Sequence, residues 1–296
     1  MLTRRGFARL SLAPLVTPAC FHWNSAAAAE DGLASLGATL AKIEAESGGR
    51  LGVAVLDTGS GAAVGHRIDE RFPMCSTFKA LAAAAILAKV DAGKEQLARR
   101  IRVEQKDILA YAPVSKRHLG ADMSVAELCE AMVTLSDNTA ANILLASMDG
   151  PPAITQLARS LGDELTRLDR IEPELNESTP GDVRDTTTPA AMAKNLKALA
   201  AGNALSAASR DQLIAWLVGC KTSDAKIRAG LPKSWRVGDK TGSGEHGSSN
   251  DVAVIWPDGR APVIVAVYLT ETSAPDAQRN AAHAAVGRAV AGVFAG

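Results

Sequence analysis

Cys75-Ser76-Thr77-Phe78-Lys79 runs straight into Ala80-Leu81-Ala82-Ala83-Ala84-Ala85-Ile86-Leu87-Ala88-Lys89-Val90. The second part predicts a helix that is apolar nearly all round, and such a helix is usually buried on every side. Ser76 and Lys79 stand three positions apart at its start, so their side chains point the same way. A neutral hydroxyl is a poor nucleophile. An amine beside it can orient it and help carry its proton. The free N–H groups and dipole of a helix start also favour negative charge developing at Ser76. Taken alone, S-x-x-K is too short to distinguish this from a surface serine beside a solvated lysine. The rest of the chain decides.

Working outward, residues from about 32 to 45 alternate at helical spacing and stop at Gly48-Gly49. Leu51 to Leu56 reads as a short strand, Asp57 to Gly61 as a turn, and Ala63 to Ile68 as a hairpin partner. Beyond the central stretch the pattern is mainly helical to about residue 218. Ser124-Val125-Ala126-Glu127 has the form of a capping box. Thr188-Pro189 supplies an N-cap and a first-turn proline. Between Arg170 and Asp185 periodicity breaks down around Pro173, Pro180 and Gly181, which reads as a compact Ω-type loop. Trp235 to Lys240, Asp251 to Trp256 and Val263 to Leu269 read as strands, and about Pro275 to Phe294 as a closing helix. Strands at both ends with helices between predict one sheet of N- and C-terminal segments, residues 30–70 and 219–296. A helical domain, residues 71–218, is inserted between them and includes the loop 170–185.

Composition sets the outer bounds. With 296 residues, 47% of them hydrophobic, the chain can bury one large core or two interlocked ones. Basic and acidic residues balance at 32 each, so nothing suggests nucleic acid or a polyanionic partner. There is no C-x-x-C, and histidines 22, 66, 118, 246 and 283 have no partner at metal-binding spacing. Neither a metal nor another cofactor is expected.

Residues 1–29 read as an export signal. Thr3-Arg4-Arg5-Gly6-Phe7 is a twin-arginine pattern, Leu10 to Phe21 is modestly apolar, and Ala26 to Ala29 offers a small-residue cleavage site. Pro14 and Pro18 break the apolar stretch, and it is too short to span a bilayer. Cleavage near Ala29 removes Arg4, Arg5 and Arg9 and no acid, leaving an excess of three acids. The expected product is a periplasmic monomer with no membrane attachment. It keeps Cys75, Cys129 and Cys220, which are expected to be reduced and buried.

Three further motifs follow Ser76 and Lys79 in order. They are Ser136-Asp137-Asn138, Glu172-Pro173-Glu174-Leu175-Asn176 inside the loop, and Lys240-Thr241-Gly242 at the end of a predicted strand. Together with S-x-x-K they resemble the markers of the penicillin-recognising serine acylases, and the glutamate motif narrows the resemblance to class A β-lactamases. It extends over the mature chain, including residues 182–189 and Asn250-Asp251-Val252-Ala253.

The resemblance implies an α+β fold: an antiparallel sheet flanked by helices with an all-α insertion. It also implies a β-lactam substrate and a role for each residue. Ser76 attacks the strained amide carbonyl and forms an acyl-enzyme. Backbone N–H groups of Ser76 and Ser243 hold the oxyanion. The acylation base is either Lys79 or Glu172 acting through a water. Ser136 relays a proton to the leaving nitrogen. Lys240, Thr241, Gly242 and Ser243 form the strand that meets the substrate carboxylate, and Asn138 meets the acylamino side chain and positions Lys79. Glu172 and Asn176 hold the hydrolytic water, and Tyr111 stands at the cleft rim. A cis Glu172-Pro173 bond is implied, with Arg170 and Asp185 closing the loop as an ion pair. Asp137 is expected to be structural, tying loop to helix.

Two rivals share part of this set. A D-alanyl-D-alanine peptidase or other penicillin-binding protein has the serine, the lysine and K-T-G but lacks Glu172 with Asn176. A β-lactam sensor domain stays acylated and needs a membrane span, and no run of about 18 apolar residues exists in the chain. Ser243 and Gly244 resemble the extended-spectrum branch. Gly244 stands where a disulfide partner of Cys75 would be in serine carbapenemases, and Ala83 where a partner of Cys129 would be. Arg228 and Arg279 are candidates for an auxiliary carboxylate contact.

Overall fold

The structure is a computed structural model that describes residues 23–295, with side chains from residue 35 onward. Residues 1–22 of the expected export signal lie outside the described range. The first helix, α1 (Trp23–Ser47), is longer than the reading of 32–45. Its added N-terminal part includes the four alanines Ala26 to Ala29, which favour helix without any amphipathic pattern. It stops where Gly48 takes φ +72°, open to glycine at little cost.

Strands β1 (Arg50–Asp57) and β2 (Ala63–His66) form the expected hairpin. A short β3 (Phe72–Pro73) leads through a 3₁₀ turn at Cys75–Thr77 into α2 (Phe78–Asp91). Then come β4 (Arg100–Arg102), β5 (Asp122–Ser124), α3 (Val125–Thr134), α4 (Asn138–Ala146) and α5 (Pro152–Ser160). After the loop follow β6 (Thr186–Thr187), α6 (Pro189–Ala200) and α7 (Ala207–Val218). The chain ends with β7 (Arg236–Ser243), β8 (Ser249–Trp256), β9 (Val263–Thr270) and α8 (Asp276–Phe294).

The main sheet has the order β2-β1-β9-β8-β7, and every neighbouring pair is antiparallel. An antiparallel sheet often leaves one face wet. This one is covered on both faces, which is why β9 reads Val-Ile-Val-Ala-Val-Tyr-Leu-Thr with every residue buried. Alternate residues feed two cores. Val53, Val55, Val265 and Val267 pack with Leu36, Leu40, Val286 and Val290 from α1 and α8. Ala54, Leu56, Ile264 and Ala266 face the opposite way, into the larger core that contains α2.

Every residue of α2 from Phe78 to Leu87 is buried. Its alanines keep the helix slim, so surrounding elements approach closely on all sides. Both capping predictions hold. Ser124 Oγ accepts from Glu127 N while the Glu127 carboxylate accepts from Ser124 N, and Thr188 Oγ1 accepts from Ala191 N ahead of Pro189.

Candidate active site

Ser76 lies in the 3₁₀ turn just before α2, not in the first turn of the α-helix. Ser76 and Lys79 still point the same way, and both side chains reach Glu172 Oε1. Cys75 adopts φ +44°, an uncommon conformation for a residue with a side chain. The surrounding backbone is fastened to hold it. Asn250 Nδ2 donates to Pro73 O and Met74 O at 2.9 and 3.0 Å, and Met74 N donates to Asp185 O at 2.9 Å. β7 passes close beside this turn. A Cβ on Gly242 would stand 2.9 Å from Met74 O and 3.1 Å from Ser76 N, so only glycine lets the strand lie there undisturbed.

Four segments converge on one buried polar cluster. The Ser76 hydroxyl donates to Glu172 Oε1 at 3.1 Å. Lys79 Nζ lies 2.9 Å from that same oxygen. It also donates to Ser136 O at 2.9 Å, Ser136 Oγ at 3.3 Å and Asn138 Oδ1 at 2.6 Å. Lys240 Nζ donates to Ser136 Oγ at 3.0 Å and Thr241 O at 2.7 Å. The Ser136 hydroxyl thus sits between two amines. Burial lowers the Lys79 pKa, and the Glu172 carboxylate pulls it the other way. Burial, then the nearby Lys79 charge, brings Lys240 down to about 8.

Local capping places Ser136 and Asn138. Asp137 caps α4 through Ala140 N at 2.9 Å, and its carboxylate also takes Val114 N, Ser115 N and Ser115 Oγ, each at 2.9 Å. All its acceptor capacity goes into the structure. Asn138 N in turn donates to Tyr111 O at 3.0 Å, which fixes the rim segment.

The loop and α4 together hold Glu172. Asn176 Nδ2 donates to Glu172 Oε2 at 2.5 Å. Asn142 pairs with the Glu172 backbone, donating to its carbonyl at 2.7 Å and accepting from its N–H at 3.0 Å. The Glu172-Pro173 bond is cis. Arg170 Nε donates to Asp185 Oδ2 at 2.6 Å, and Asp185 Oδ1 accepts the N–H groups of Asp169 and Arg170 at 2.7 and 2.9 Å. Gly244, just beyond β7, has no room for a side chain. A Cβ there would meet Asn176 O, Ser178 Oγ and Cys75 Sγ, each at 2.7 Å. Cys75, Cys129 and Cys220 are buried free thiols.

These residues open onto a cleft of about 350 Å³. Ser76, Ser136, Asn138, Asn176, Thr241, Gly242 and Ser243 line it, with Tyr111 half-exposed at its edge. Lys79, Glu172 and Lys240 are buried behind that lining and reach it through hydrogen bonds. Neither candidate for the auxiliary contact is there. Arg228 Nε donates to Asp239 Oδ2 and to Ser223 Oγ, both at 2.8 Å, and Arg279 pairs with Asp276. The cation in the lining is Lys226, which no motif marked. It donates to Ser249 Oγ, and burial lowers its pKa against the pull of the buried Asp251. Thr222 joins it, 2.5 Å from Thr241 by hydroxyl-to-hydroxyl contact. Among the described residues no cluster of three or more His, Cys, Asp or Glu side chains is placed to hold a metal ion.

Residues 35–294 match the Beta-lactamase enzyme family. The chain is 51% identical over 232 residues to beta-lactamase CTX-M-97 of Escherichia coli, covering 78% of this chain and 80% of that protein. It is 46% identical to beta-lactamase L2 of Stenotrophomonas maltophilia, covering 97% of this chain and 98% of that one. Among solved structures it resembles an ancestral (GNCA) class A beta-lactamase with a TM-score of 0.87 and 62% identity, covering 88% of this chain and all of the other.

Proposed function

The chain belongs to the class A β-lactamase family, and we propose that it hydrolyses the β-lactam amide of penicillins and cephalosporins through an acyl-enzyme on Ser76, conferring resistance. One observation carries the mechanism. Ser76 Oγ and Lys79 Nζ meet the same oxygen of Glu172, while Asn176 holds the other.

In acylation Ser76 Oγ attacks the lactam carbonyl carbon as its proton passes to Glu172. The oxyanion collects on the backbone N–H groups of Ser76 and Ser243. As the C–N bond breaks, the Ser136 hydroxyl gives its proton to the ring nitrogen and is reprotonated by Lys79, 3.3 Å away; Lys79 in turn takes the proton that Glu172 received, 2.9 Å away, and leaves the carboxylate free for the second step. Lys240 meets the substrate carboxylate with Thr241 and Ser243, and Lys226 adds a second positive charge to that end of the cleft. Asn138 receives the acylamino group, and Tyr111 lies along the substrate at the rim. In deacylation a water held by Glu172 and Asn176 loses its proton to Glu172 and attacks the ester carbonyl. The C–O bond breaks, and Ser76 recovers its proton.

A penicillin-binding protein has no counterpart of Glu172 with Asn176, so rapid release of the acyl group separates the readings. Among the described residues no helix is long and apolar enough to cross a membrane. The test is turnover of one penicillin, one oxyimino-cephalosporin and one carbapenem, with mass spectrometry of the protein during turnover. Fast hydrolysis of the penicillin and the cephalosporin with no lasting adduct supports the reading, and the carbapenem reports substrate range; a long-lived adduct of the penicillin and the cephalosporin on Ser76 overturns it.

We further propose a periplasmic monomer exported by the twin-arginine route, on the strength of Arg4-Arg5 and Ala26 to Ala29. Replacing both arginines by lysine should strand the precursor in the cytoplasm, and N-terminal sequencing of periplasmic protein should begin close to Glu30. Finding Met1 there would refute the export signal.

A further inference from the structure

Beneath the loop 170–185 lies a second cavity, of about 170 Å³, that shares no lining residue with the catalytic cleft. Arg50 and Arg71 reach it from the sheet side, Arg170 and Arg184 from the loop. Three of these are paired with carboxylates: Arg50 with Glu70 and Glu271, Arg170 with Asp185, and Arg184 with Asp182. Arg71 is different. Its Nη1 donates to Leu165 O at 2.8 Å and Thr186 Oγ1 at 3.0 Å, both neutral acceptors. Its Nε and Nη2 donors have no partner, and no carboxylate lies within ion-pair distance of it, among the described residues. A guanidinium presents five donors in a rigid fork that suits an oxyanion. The two acids in the lining, Asp182 and Glu271, are already engaged by Arg184 and Arg50.

We propose that this cavity binds a small, multiply charged oxyanion: a phosphate group, free or carried on a small metabolite. The free fork of Arg71 is its anchor; Thr186 and Ser178 line the same space, their hydroxyls already donating to Val183 O and Asn176 O. The bound anion links the sheet side to Arg170 and Arg184 of the loop. Ser178 is two residues past Asn176 and accepts from or donates to Cys75 Sγ at 3.4 Å. The site therefore backs directly onto the segment that presents Glu172 and Asn176, and occupancy holds that segment in place.

The test is thermal unfolding of the full exported protein with inorganic phosphate or pyrophosphate, against chloride at matched ionic strength. The midpoint should rise saturably with the oxyanion. Arg71→Gln should remove the rise. Lys240→Ala, which weakens anion binding in the catalytic cleft, should keep it. Phosphate in the cleft competes with substrate, whereas phosphate in this cavity should not raise KM at the concentration that shifts the midpoint. If Arg71→Gln does not fold, Arg71→Lys should bind pyrophosphate roughly tenfold more weakly, since the fork is lost and the charge kept. No rise, an equal rise in the Arg71 variants, or a rise lost only in Lys240→Ala would each overturn the proposal.

Discussion

Lys79 Nζ lies 2.9 Å from Glu172 Oε1, and neither side chain has exposed surface. A buried pair of this kind is seldom a net source of stability, because desolvating both charges offsets their attraction. Its consequence is chemical. The Ser76 hydroxyl donates to that same carboxylate oxygen, so the nucleophile is coupled to the pair directly.

Lys240 should set the alkaline limb of activity. Burial and the Lys79 charge hold its pKa at about 8, so its ammonium is charged below that pH and lost above it. If it meets the substrate carboxylate, kcat/KM should fall toward tenfold per pH unit above about pH 8. A bound carboxylate favours the ammonium, so kcat at saturation should hold to higher pH. A kcat/KM that stays flat to pH 9.5 would rule Lys240 out of recognition.

The loop pair should matter more for deacylation than for acylation. Arg170→Ala leaves Asp185 buried with its Oδ2 unpaired, and breaking such a pair costs about 3 kcal/mol. The adjacent segment carries Glu172 and Asn176; both steps use Glu172, but only deacylation also needs the water that Glu172 and Asn176 hold together, so it should suffer more. Pre-steady-state kinetics should show a slowed deacylation and an acylation rate changed much less. Equal losses in both steps would place the pair's effect elsewhere.

Much of this site is legible in the sequence because its parts are local. Ser76 with Lys79, Ser136 and Asn138 with the Asp137 cap, and Glu172 with Asn176 each lie within a few residues of one another. A short motif therefore states both the residue types and their relative direction. The sheet was legible for a related reason: strands covered on both faces, such as Val263–Thr270, carry unbroken apolar runs. Tertiary burial is what the sequence conceals. Arg228 and Lys226 are two residues apart in an unpatterned stretch. Only packing against Asp239 on β7 and Ser249 on β8 turns one away and puts the other in the cleft. The φ of +44° at Cys75 likewise depends on Asn250, far along the chain.

That contrast is testable. Lys226→Ala should raise KM for a carboxylate-bearing penicillin by about tenfold, the scale of one charge-assisted hydrogen bond, with kcat little changed. Arg228→Ala should leave KM nearly unchanged and lower stability, because Asp239 is fully buried and loses its counter-ion. Urea unfolding alongside steady-state kinetics separates the two. A larger KM effect from Arg228→Ala would reverse the assignment.

The thiols should be silent in the folded protein. Burial pushes Cys75 up to about 12 and raises Cys129 and Cys220 as well, so almost no thiolate is present near neutrality. Native protein cut after residue 29 should resist a thiol reagent, and once denatured it should titrate three groups without reductant. A titre of one would reveal a disulfide.

Removing Glu172 should divide the reaction at its midpoint. Acylation uses Ser76, Lys79, Ser136 and the oxyanion donors, and Lys79 keeps its bonds to Ser136 and Asn138 without the carboxylate. Deacylation needs a base for the attacking water, and Glu172 is the carboxylate that both Ser76 and Asn176 contact. General-base catalysis is worth roughly 10²–10⁴-fold, so Glu172→Ala should lose turnover on that scale. Acylation should slow too, because Glu172 takes the Ser76 proton in the proposed first step. The decisive reading is therefore the adduct and not the rate. Intact mass should show Glu172→Ala carrying one opened β-lactam on Ser76, and Ser76→Ala carrying none. Glu172→Gln should also trap the adduct, since an amide fills the same space but cannot accept the water's proton. Turnover by Glu172→Ala at the parent rate would mean that another group activates the water and that the assigned mechanism is wrong.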